Sequence, residues 1–78
     1  MESIEARVKR VLAENLGRDA GEISMDSELE SDLGADSMDV IEISISLEEE
    51  FGIELNDEDM EGVESVGDLV DVISNKGA

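Results

Sequence analysis

From Ser37 to Phe51 the apolar residues of this chain recur at the spacing of an α-helix, and Gly52 stops the pattern. At the helical turn per residue, Val40, Ile43, Ser44, Leu47 and Phe51 fall on one face, which must turn toward a core. Met38, Ile41 and Ile45 fall on a different side, about 100° or more around the axis, flanked by Glu42, Glu48 and Glu49. Such a helix has to find cover for its first face elsewhere in the same chain, and it keeps a second, acid-bordered apolar strip. Ser44 is the irregular member of the core-facing set. Its hydroxyl either bonds back to the preceding turn or reshapes the space behind it.

Two more stretches supply the cover. Ile4, Val8, Val11, Leu12 and Leu16 form a helical stripe, with Ser3 placed as N-cap and Gly17 as a stop. Ser65-Val66-Gly67-Asp68 has capping-box form, with aspartate in the usual glutamate position, and opens a last helix whose Val66, Leu69, Val70 and Ile73 share a face. Before it, Asn56 or Asp57 caps a short helix running through Met60, which Gly62 ends. Residues 17 to 36 show no sustained periodicity, and a connection that long in a small domain is uncommon unless it is pinned or functional. Ile23, Met25, Leu29 and Leu33 are the expected pins, and Ser27-Glu28-Leu29-Glu30 has the form to start a single turn. Ile53-Glu54-Leu55 alternates but is too short for a strand and has no partner. The expected architecture is all-α: one domain, residues 1–78, folded as a small four-helix bundle of three main helices and one short helix. It has a long first loop and a frayed end at 75–78.

The residue types bound the chemistry. There is no cysteine and no histidine, so no nucleophile–base pair of the usual kind can be assembled and the commonest metal ligands are missing. Five bases stand against twenty-three acids, a formal net charge of −18, and residues 19 to 75 contain no base at all. Such a surface repels nucleic acid and anionic membranes and attracts basic patches on proteins from a distance. No apolar run is long enough to cross a bilayer and no signal-like N-terminus is present, so the expectation is a cytoplasmic monomer.

Asp32-Leu33-Gly34-Ala35-Asp36-Ser37-Met38 leads into the long helix through a glycine turn. With Asp36 as N-cap and Asp39 completing the arrangement, Ser37 occupies the first helical position, exposed and away from the core face. A phosphate on that hydroxyl would sit near unpaired backbone N–H groups and the positive end of the helix dipole, a benefit of roughly 0.3–1 kcal/mol. Asp36 and Asp39 oppose it by like charge, and serve as a cap or as contacts while a modifying enzyme acts. Judged by residue type alone, Ser37 is an ordinary capping or solvated serine.

The run from Asp32 to Asp39, followed by Leu47-Glu48-Glu49-Glu50-Phe51, resembles the acyl carrier proteins of dissociated bacterial fatty-acid synthesis. The resemblance spans nearly the whole chain, from Ile4-Glu5-Ala6-Arg7-Val8 onward. It implies that Ser37 carries phosphopantetheine as a phosphodiester, whose thiol would hold acyl groups as thioesters. It also gives the second strip a meaning: Asp36, Met38, Asp39, Ile41, Glu42, Ile45, Glu48 and Glu49 would be read by a phosphopantetheinyl transferase and by basic patches on ketosynthases, acyltransferases and reductases. Residues near Ile41 and Ile45 can also line the cavity sheltering an acyl chain in such proteins, and simple bundle core is the plainer reading of both. Met38 stands where leucine is commoner, and Asn56 where many members have proline.

Two other readings stay open on the residues. Asp57-x-Asp59-x-Glu61-Gly62 with Asp68 at the twelfth position approximates an EF-hand calcium loop, although helical periodicity begins inside it. The charge alone would also suit an unmodified acidic interaction module.

Overall fold

Each helix begins where a side chain takes over the N–H groups that the first turn cannot satisfy. The computed structural model describes residues 2–77. Four helices follow in order: α1 (Ile4–Leu16), α2 (Ser37–Phe51), α3 (Asp57–Met60) and α4 (Val66–Asn75), with a single 3₁₀ turn at Ala20–Glu22 in the first loop. The Ser3 hydroxyl accepts from the Ala6 N–H at 3.1 Å to start α1. The other three starts are reciprocal capping boxes: Asp36 with Asp39, Asn56 with Asp59, and Ser65 with Asp68. Asn56, not Asp57, therefore caps α3. Gly52 closes α2 in the left-handed region at φ 64°, where a side chain would be strained.

Helix α1 is the element on which both α2 and α4 pack. Val8, Leu12, Ile43, Leu47, Val66, Leu69 and Ile73 are fully buried between them. Truncating a leucine there to alanine costs about 2–5 kcal/mol, since the site cannot fully collapse. A polar clamp closes the seam between α1 and α2. Arg7 Nε donates to Glu50 Oε2 at 2.9 Å, and its Nη2 donates to the Glu50 carbonyl at 2.7 Å. The same guanidinium lies 4.3 Å over the ring of Phe51, the one aromatic residue, and Arg10 adds a second bond to the Glu50 carboxylate at 2.7 Å.

The first loop is pinned by Ile23, Leu29 and Leu33, all buried, with Met25 half-buried against the core. Ala35 is buried beside them, a pin that its small side chain did not advertise. Backbone bonds do the rest. Leu29 N–H donates to the Glu64 carbonyl at 2.9 Å, Val66 N–H to the Ser27 carbonyl at 3.0 Å and Gly67 N–H to the Met25 carbonyl at 2.9 Å. They form an isolated antiparallel bridge between Glu28 and Ser65, too short to be a strand. A turn does form after Ser27, but Asp32 rather than Glu30 closes it, its Oδ2 accepting from the Glu28 N–H at 2.7 Å. At the other end Asn75 is the last residue of α4 and the Lys76 N–H bonds back to Val72 and Ile73 carbonyls. Of the end expected to fray, Ala78 lies outside the described residues.

Candidate functional site

The approach to α2 is fixed on both sides of one turn. Leu33 and Ala35 are buried, and Gly34 between them takes φ 69°, so the backbone reverses and Asp36 emerges at the surface. Asp36 Oδ1 accepts from the Asp39 N–H at 2.9 Å and Asp39 Oδ2 accepts from the Asp36 N–H at 3.1 Å. This reciprocal pair sets the first helical residue, and that residue is Ser37.

Ser37 is exposed, and among the described residues its hydroxyl has no hydrogen-bonding partner. The backbone N–H groups of Ser37 and Met38 are likewise unpaired there, because the cap takes Asp39 and the Asp36 carbonyl takes Val40. A groove of about 550 Å³ opens beside Ser37. One wall is Val40 and Ile41 of α2; the facing wall is Met60, Val63 and Glu64; Glu28, Glu30 and Ser31 of the first loop form the rim. No pattern along the chain shows that this second wall and the rim meet α2.

On α2 the second strip is exposed: Met38 at 64%, Ile41 at 55% and Ile45 at 48% of their full area. Burial in the bundle core is therefore excluded for Ile41 and Ile45, and Ile41 alone of the two reaches the groove. Glu42 and Glu49 are exposed beside the strip. Glu48 is half-buried and turned to the following loop, where its Oε2 accepts from the Leu55 N–H at 2.9 Å. Ser44 is also half-buried, and its Oγ donates to the Ile41 carbonyl at 2.7 Å, the first of the two expected alternatives.

The residues of the supposed calcium loop are occupied otherwise. Asp57–Met60 is helical, Asp59 closes a capping box and pairs with Lys76 at 2.8 Å, and Asp68 accepts from the Glu64 and Ser65 N–H groups. Those bonds, Glu64 first, hold the Asp68 carboxyl below the usual carboxylate range. The EF-hand reading is withdrawn.

The phosphopantetheine attachment site family matches residues 6–73. An acyl carrier protein of Clostridium acetobutylicum is 54% identical over 67 residues, which cover 86% of this chain and 87% of that protein. The chain belongs to the acyl carrier protein family. As a member it is a non-catalytic carrier of phosphopantetheine-bound acyl groups, and the unmodified interaction module is set aside. Membership also implies encounters with a phosphopantetheinyl transferase and with acyl-processing enzymes. The site suits the prosthetic group: a free hydroxyl for the ester, unpaired N–H groups and a helix dipole for the phosphate charge, and a groove leading away. Among the described residues no helix is long and apolar enough to cross a membrane.

Proposed function

We propose that Ser37 Oγ is the attachment atom of this acyl carrier protein, becoming the ester oxygen of a phosphodiester. The observation that carries this is the exposed, unbonded hydroxyl at the first position of α2, beside a groove that α2, the first loop and the α3 segment share. When bound, phosphopantetheine supplies a terminal thiol that holds acyl groups as thioesters, which a chain without cysteine cannot do itself. The chain's own part is positional. Asp36 and Asp39 fix the helix start, the α2 dipole tempers the phosphate charge, and Val40, Ile41, Met60 and Val63 offer the cargo an apolar bed.

The exposed strip is the partner-facing surface in this reading. Met38, Ile41 and Ile45 give apolar contact; Asp36, Asp39, Glu42 and Glu49 steer a basic patch; Glu48 lies at the margin, engaged with Leu55. Ketosynthases, acyltransferases and reductases of a cytoplasmic acyl-building pathway are the partners this chemistry suits. Weak contact with fast encounter is what a shuttle between many enzymes requires.

Intact mass after incubation with coenzyme A and a competent phosphopantetheinyl transferase tests the attachment. One added arm is expected on the native chain and none on Ser37→Ala. An arm that still appears on Ser37→Ala would move the site elsewhere.

A further inference from the structure

The wall of the groove facing α2 is attached to the rest of the protein in an unusual way. Upstream, the chain is anchored where Leu55 is buried and its N–H reaches Glu48. Downstream, it is anchored where the Glu64 carbonyl accepts from Leu29. Between these points, the hydrogen bonds of residues 56–63 close within the segment: Asp59 and Met60 to Asn56, Glu61 to Glu58, Val63 to Met60. Of the other helices α3 lies close to α4 alone. Met60 and Val63 are only half-buried, and they are the two residues of this segment that face Val40 and Ile41 across the groove.

One polar link leaves the segment among the described residues: Asp59 Oδ2 to Lys76 Nζ at 2.8 Å. Lys76 is also the sole base after Arg18 in the sequence. Asp59 immediately precedes Met60, so whatever restrains Asp59 restrains the groove wall. We infer that Lys76 is a positioning residue, a latch that holds the α3 segment in place and so sets the width of the groove beside Ser37. The consequence for cargo rests on the reading of that groove as the bed for the acyl group; the latch itself does not. Because the pair is partly exposed, with side chains 33% and 23% accessible, salt weakens it and the wall loosens.

Residue-resolved amide hydrogen exchange on the full-length, arm-free chain tests the latch with no cargo present. In Lys76→Gln, the amides of Glu61 and Val63 are expected to exchange about two- to five-fold faster, the range for losing one partly exposed ion pair. Amides in the middle of α1 and α2 should keep their native rates. Lys76→Arg should restore the native rates in the segment. Lys9→Gln removes the same charge from α1 and should leave the segment unchanged. Unchanged rates at Glu61 and Val63 in Lys76→Gln, an equal rise across all helices, or the same rise in Lys9→Gln would each overturn the latch. The groove reading is scored separately, by chemical-shift changes at Val40 and Val63 when an acylated arm is loaded. Such shifts with unaltered exchange would remove the latch and leave the groove, whereas altered exchange without them would leave the latch and remove its bearing on cargo.

Discussion

Asp36 carries the placement of Ser37, since its carboxylate and that of Asp39 define where α2 begins. Asp36→Ala removes the acceptor and leaves the Asp39 N–H unpaired, so stability should fall by about 1 kcal/mol, read by thermal unfolding. Asp36→Asn keeps an acceptor oxygen and should lose much less. Glu50 is a second residue with more than one task. Its carboxyl is held below the usual carboxylate range, first by the Arg7 side-chain hydrogen bond and then by that of Arg10. A carboxyl depressed in the folded state stabilises the fold above its unfolded value, and that stabilisation is lost as pH falls through the folded one. The clamp on Phe51 should therefore weaken below about pH 4, and Glu50→Gln should flatten the acid limb of the unfolding profile while lowering stability at neutral pH. Asp59 behaves alike, lowered chiefly by Lys76. The cap and the place of Ser37 at the first helical position are readable from residue types in order along the chain, whereas its role as an attachment point rests on the family resemblance. The clamp at Glu50 is not readable that way, because its partners lie 43 and 40 residues away.

Helix α2 presents two faces with opposite fates, and periodicity alone separates them. The buried pair Ile43 and Leu47 holds the core, while Met38, Ile41 and Ile45 stay in solvent. If the proposed partner surface is right, Glu42→Lys should slow association with a ketosynthase at low salt and leave the helical circular dichroism intact; unchanged kinetics would take Glu42 off that proposed surface. Helix boundaries were legible because each start carries its own cap and the ends of α1 and α2 carry a glycine in the left-handed region. The first loop resisted the same treatment for a physical reason. It is held by backbone bonds to residues 64–67, and backbone groups are the same in every sequence. Gly67 is the one residue that registers that contact, since a Cβ there would lie 3.2 Å from the Met25 carbonyl. Gly67→Ala should speed amide exchange at Val66 and residue 67, where the stitch would have to give.

At the scale of the whole molecule, a charge of −18 is spread over a body 29 Å in its longest extent. Self-repulsion opposes the compact state, so raising sodium chloride toward 0.5 M should raise the unfolding midpoint as the Debye length shrinks. A midpoint that falls instead would mean that the ion pairs outweigh the repulsion. All-α class and a single core were legible from periodicity and length, whereas the groove was not, since it is made by three segments that meet only in space. All five basic side chains are engaged: Arg7 and Arg10 with Glu50, Lys9 with Glu5, Arg18 with Glu22, and Lys76 with Asp59. Two copies of this protein consequently approach each other as like-signed colloidal particles, with no unengaged basic side chain among the described residues to seed a contact. Mutual repulsion of that kind raises osmotic pressure as the protein is concentrated.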